Sequence, residues 1–130
     1  MAFGQLFSAM LKLNISKVYE NDFSEVFYKR FIELGSMILI ESTKPGERLY
    51  GLDWQHECFD FDPREGMKEP GLFVPGFIPD GDYYIFMTKD YKNCWFSHPW
   101  EESVTIYGEL MVQAAMELIE EFEKIKIVKY

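Results

Sequence analysis

A chain of 130 residues that is 48% hydrophobic and 18% aromatic has the size of one globular domain and ample apolar material for one core; its charged fraction of 27% excludes the composition of a disordered chain. Twenty-two acidic residues against thirteen basic ones leave a net charge of −9, which repels a phosphate backbone, and no linear basic patch offsets it, so no nucleic-acid ligand is expected. Two cysteines make no disulfide framework, the N-terminal segment lacks a basic leader, and the longest aliphatic run, Met37 to Ile40, falls far short of the about 20 residues that cross a bilayer; the expectation is a cytoplasmic protein without membrane contact.

Along the chain, Phe3, Leu6, Phe7, Met10 and Leu11 recur at helical spacing and predict an N-terminal helical region. Asn21 or Asp22 then caps a second helix, with Glu25 at capping-box distance from Asp22 and Phe23, Val26, Phe27, Phe31 and Leu34 along one side before Gly35 ends it. MILIES and ERLYGLDW, separated by the turn signal Lys44-Pro45-Gly46, read as a β-hairpin, and HECFDFD as a third strand. From Pro63 to Gly81 prolines and glycines recur, so the stretch reads as a loop that packs down through Leu72, Phe73, Phe77 and Ile78. DYYIFMTK, CWFSHPW and VTIYG supply further strands, with turns at Asp80-Gly81 and from Asp90 to Asn93. Finally Met111, Ala115, Leu118, Phe122 and Ile125 share one face of a long amphipathic helix from Glu109 to Ile125. The expected architecture is α+β: an antiparallel sheet of about five strands, flanked by an N-terminal helical region and a long C-terminal amphipathic helix.

Both histidines, both cysteines and all three tryptophans fall between Trp54 and Trp100. Alternation in the third strand puts Trp54, His56, Cys58, Asp60 and Asp62 on one face and Asp53, Gln55, Glu57, Phe59 and Phe61 on the other. A site built on His56 therefore recruits Cys58 or Asp60 rather than Glu57 and leaves Gln55 on the far side of a regular strand; Asp82, Tyr83 and His98 are its candidate companions from the later strands. The bland reading of His56 is a half-buried imidazole bonded to backbone or carboxylate. His98 stands extended before Pro99, and Trp100, Glu101 and Glu102 follow it; this corner suits either a binding rim or a structural turn whose indole covers the core edge.

No known catalytic or metal spacing surrounds these residues. His56, Cys58, Cys94 and His98 are of zinc-ligand type, but they lack a second close cysteine pair, so no metal and no other cofactor is expected. Ser97 beside His98 lacks a nucleophile elbow, and Asp60, Asp62, Asp80 and Asp82 adjoin Pro63 or Gly81 and read as turn formers. From Asp53 to Asp82 eight carboxylates meet only Arg64 and Lys68, which reads first as a solvated face and second as a docking surface for a basic partner.

Taken together, LDWQHECFDFDP (52–63), PDGDYYIFM (79–87) and SHPWEESVTIYGEL (97–110) resemble the bacterial family DUF2716, a domain of unknown function, while the segment through Glu20 shows no counterpart. The resemblance implies a bacterial, intracellular, single-domain protein and no particular activity. It points to Trp54, Gln55, His56, Gly81, Asp82, Tyr83, His98, Pro99, Trp100 and Gly108, of which the glycines and the proline serve turns. Two functions follow as expectations. The first is a non-enzymatic binding module of the immunity or antitoxin kind, masking a basic protein with Trp100, Glu101 and Glu102. The second is a small enzyme or ligand-binding protein with a pocket of Gln55, His56, Asp82, Tyr83 and His98; a homo-oligomer is compatible with either.

Overall fold

The computed structural model describes residues 9–53, 58–68, 77–79 and 81–130. Seven strands lie within them: β1 (Met10–Asn14), β2 (Leu49–Asp53), β3 (Cys58–Phe61), β4 (Tyr84–Thr88), β5 (Cys94–His98), β6 (Ser103–Tyr107) and β7 (Val128–Lys129). They form one sheet in the order β3-β2-β4-β5-β6-β1-β7, and every neighbouring pair is antiparallel. Alternation sorts their side chains. Phe86, Trp95 and Ile106 stand opposite one another on β4, β5 and β6, with Leu11 of β1 next in the row, and all are buried. Leu13 faces Val104 one row on, and both are fully buried.

Helices α1 (Glu25–Glu41), α3 (Glu109–Glu117) and α4 (Ile119–Lys124) bring Phe31, Leu34, Ile38, Leu39, Met111, Ala115 and Phe122 to this same face. The Phe31 ring centroid lies 6.1 Å from that of Trp95 and 6.2 Å from that of Phe122, so sheet and helices share one apolar layer. The sheet's other face carries Tyr50, Met87, Cys94 and Tyr107 in one row and His98, Ser103, Asn14 and Val128 in another.

An α+β architecture with a large antiparallel sheet is thus present, with seven strands in place of about five. Met10 and Leu11 belong to β1 and not to a helix: Leu11, Leu13 and Ile15 are buried in alternation with Met10, Lys12 and Asn14, a period of two hidden in the sequence by the apolar spacing before it. Phe3, Leu6 and Phe7 lie outside the described residues.

The second helix starts later and runs further than its sequence signals suggest. Ser24 is its cap, accepting from the Phe27 amide at 3.1 Å, in place of Asn21 or Asp22. It continues through Gly35 to Glu41, because Phe31, Leu34, Gly35, Ile38 and Leu39 form a buried stripe at helical spacing. That burial overrides the strand propensity of MILIES, and Lys44-Pro45-Gly46 joins a helix to β2 rather than closing a hairpin. Gly35 is where Phe77 packs: a Cβ there would stand 2.6 Å from the Phe77 ring.

Pro63–Lys68 forms a short helix, α2, where a loop was expected. Asp62 accepts from the Arg64 amide at 2.9 Å and Pro63 takes the first helical position, so the pair reads as a cap followed by its preferred proline. Arg64 then closes α1 by donating to the carbonyls of Ile40, Thr43 and Lys44 and to Thr43 Oγ1, at 2.7–3.2 Å. Leu72 and Phe73 lie outside the described residues, whereas Phe77 is buried and Ile78 packs against the core.

The long C-terminal helix is divided at Leu118 into α3 and α4, and the chain then returns as β7 to the sheet edge. Met111, Ala115, Phe122 and Ile125 are nevertheless buried on the expected face.

Candidate functional site

The tip of the β5–β6 hairpin gathers the residues of the expected partner surface. His98 and Ser103 are the last paired residues, and Pro99 to Glu102 make the turn. Pro99 is buried, which seats the turn, and Glu102 adopts φ +53, the left-handed conformation that reverses the chain. Two bonds hold it: the Glu101 amide donates to His98 Nδ1 at 3.0 Å, and the Ile15 amide donates to the Glu102 carbonyl at 3.0 Å. On this braced turn Trp100 is 74% exposed. Its indole therefore does not cover the core edge. Glu101 pairs with Lys12 of β1, whose ammonium also lies 4.7 Å from the centroid of the Tyr130 ring. An exposed indole beside carboxylates is chemistry suited to cationic side chains.

Of the five pocket candidates, Gln55 and His56 lie outside the described residues, together with Trp54 and Glu57. Tyr83 and His98 are brought together, their rings T-shaped at 4.8 Å, with Phe96 at 5.6 Å from Tyr83. Because His98 Nδ1 accepts the Glu101 amide, the neutral imidazole carries its proton on Nε2 and is a donor there. Asp82 is 6% exposed and its Oδ1 accepts the Tyr83 amide at 2.8 Å, a local turn that starts β4. Cys58 and Cys94 are both free; Cys58 is exposed, and burial pushes the Cys94 thiol up to about 12. Among the described residues no three His, Cys, Asp or Glu side chains cluster as metal ligands.

At the opposite end of the sheet lies a feature the sequence did not disclose. The end of α1 and the β4–β5 turn enclose a groove of about 860 Å³, with Ser42, Thr43, Thr88 and Asn93 buried along it and Lys44, Arg48 and Lys89 among its charged residues. Lys89 and Arg48 bond Asp60 at 2.6 and 2.7 Å and hold its carboxyl below the usual range. Lys89 also sits 3.8 Å from the centre of the Tyr50 ring, on which Tyr91 stacks at 6.1 Å. Tyr91 has φ +62, a conformation that no residue pattern announces. The Asp90-to-Asn93 signal fixed only that a turn was there.

Fold and site together define a helix-backed antiparallel-sheet protein that exposes Trp100 on an acidic hairpin tip. The family model of DUF2716, a protein of unknown function, matches residues 8–112, and the chain belongs to that family. The match includes β1, so the segment before Glu20 does have its counterpart from residue 8 onward. The chain is also 34% identical over 74 residues to the uncharacterised protein YxiI of Bacillus subtilis (strain 168), a stretch covering 55% of this chain and 46% of that protein. The chain thus spans about half the length of the curated relative it matches. No solved structure matches it significantly. No helix among the described residues is long and apolar enough to cross a membrane.

Proposed function

We propose that this protein is a non-enzymatic binding module that docks a basic partner protein on the hairpin tip formed by Trp100, Glu101 and Glu102. The observation that carries the reading is the 74% exposure of Trp100 on a turn held by the Ile15 amide on the Glu102 carbonyl and the Glu101 amide on His98 Nδ1. An exposed indole on a braced turn costs little backbone ordering on binding and buries a large area, which is the character of an interface hot spot. The net charge of −9 attracts a cationic partner to the same molecule and hastens encounter. Masking a basic toxin, as an immunity or antitoxin protein does, is the form of this function that the chemistry fits. Calorimetric titration with a lysine- and arginine-rich peptide tests it: Trp100→Ala is expected to weaken binding about tenfold or more. Equal affinity of wild type and Trp100→Ala would remove the site.

One observation favours a second reading, a ligand pocket. Tyr83 and His98 are in ring contact, and the His98 Nε2 proton is available as a donor. Retention of a small molecule by the wild type that His98→Ala abolishes, with Trp100→Ala unaffected, would select it.

A further inference from the structure

We propose that the notch between Glu101, Tyr130 and the root of the β5–β6 hairpin is a lysine-recognition site, filled in the free chain by Lys12 and taken on docking by a lysine side chain of the basic partner. This rests on the reading of the hairpin tip as the docking surface. Lys12 acts as the stand-in: its ammonium pairs with Glu101 Oε1 and lies 4.7 Å from the centroid of the Tyr130 ring. A carboxylate and an aromatic face are the two groups that hold an ammonium well. The Lys12 and Glu101 side chains remain 34% and 38% exposed, so an external cation can reach the pair and exchange with it.

A second, independent observation is Ser103 at the root of the hairpin. Ser103 Oγ is buried without a hydrogen-bond partner, and it is the only such side-chain atom among the described residues. The register sets Ser103 opposite both Asn14 and His98, on the same sheet face as Lys12. An ammonium carries three donors. An incoming lysine that takes the place of Lys12 at the hairpin root brings a donor to Ser103 Oγ, which is fully buried in the free chain.

Calorimetric titration of the full chain with the peptide acetyl-Gly-Lys-Gly-Lys-Gly-Lys-amide tests the site. Lys12→Met vacates the notch and is expected to raise affinity about three- to tenfold, whereas Lys17→Met, which removes the same charge elsewhere, leaves it unchanged. Adding Ser103→Ala to Lys12→Met is expected to lose most of that gain, and adding Glu101→Gln all of it. If Lys12→Met gains nothing while Trp100→Ala still weakens binding, the lysine site is overturned and the docking surface stands. A gain shared by Lys17→Met, or one that survives both added substitutions, reflects bulk charge and overturns the site as well. Binding by neither the wild type nor any variant overturns both.

Discussion

Gly108 and Asn93 work as one unit at the start of α3. Gly108 stands at the N-cap with φ +99, and a Cβ there would meet the Lys92 carbonyl oxygen at 2.1 Å and Asn93 Oδ1 at 2.4 Å. Gly108 has no side chain to cap the helix, so Asn93 supplies the cap from the neighbouring turn, its Oδ1 accepting the amides of Leu110 and Met111 at 3.1 Å each. In urea denaturation Gly108→Ala is expected to cost at least about 2 kcal/mol, from strain added to displaced backbone. Asn93→Ala, which loses two bonds but no space, is expected to cost about 1–2 kcal/mol. Ser103→Ala goes the other way: deleting a buried hydroxyl that has no partner is expected to be neutral or stabilising by up to about 1 kcal/mol. Cys94 sets an alkaline limit. Its thiol is held near 12 in the fold against an ordinary value of about 8.5, so its stabilising contribution is full below about pH 8.5 and declines as pH rises toward 12. Thiol labelling at neutral pH is expected to mark Cys58 at once and Cys94 only on unfolding.

Among the elements, α1 shows which force decides a boundary. Glycine inside a helix costs about 1 kcal/mol relative to alanine, so Gly35→Ala should help by propensity alone. The new methyl would stand 2.6 Å from the Phe77 ring, which Phe86 and Trp95 back at centroid distances of 4.9 and 5.3 Å and which therefore cannot retreat. Overpacking of about 1–3 kcal/mol outweighs the propensity gain, and a lower melting temperature is expected. Gly35 looked like a helix end because glycine is the common end signal, whereas here it permits close approach by a residue 42 positions away in the sequence. The same limit hid the extension of α1 through MILIE and the cap that Arg64 gives it: both depend on partners distant in sequence. By contrast β4, β5 and β6 were legible, since short turns and period-two alternation are local signals. The Asp60 carboxylate, held low by Lys89 and Arg48, adds an acid limb: its contribution is present above about pH 4 and lost as pH falls through its lowered value.

Across the molecule, the seven-stranded sheet separates two surfaces. One end carries the groove beside α1, with the Tyr50–Tyr91 stack and the Arg48–Asp60–Lys89 cluster next to it; the other carries the hairpin tip. The tip was legible because Trp100, Glu101 and Glu102 are contiguous and follow His98-Pro99, while the groove was not, because its walls come from residues 41–48, 88–93 and 110. Tyr83 and His98 meet because Tyr83 precedes β4 and His98 ends β5, strands that pair. With a net charge of −9, binding of a cationic peptide is expected to weaken steeply as ionic strength rises and the screening length shortens from about 30 Å at 0.01 M to about 10 Å at 0.1 M. The most direct test of the hairpin tip as the docking surface is an amide and indole NMR titration of the full chain with a lysine-rich peptide. The indole N–H of Trp100 and the amides of Trp100 to Glu102 are expected to shift, while the indole of Trp95, buried and bonded to Ser97 Oγ at 2.9 Å, stays in place. Shifts confined to the groove residues, or none at all at saturating peptide, would contradict it.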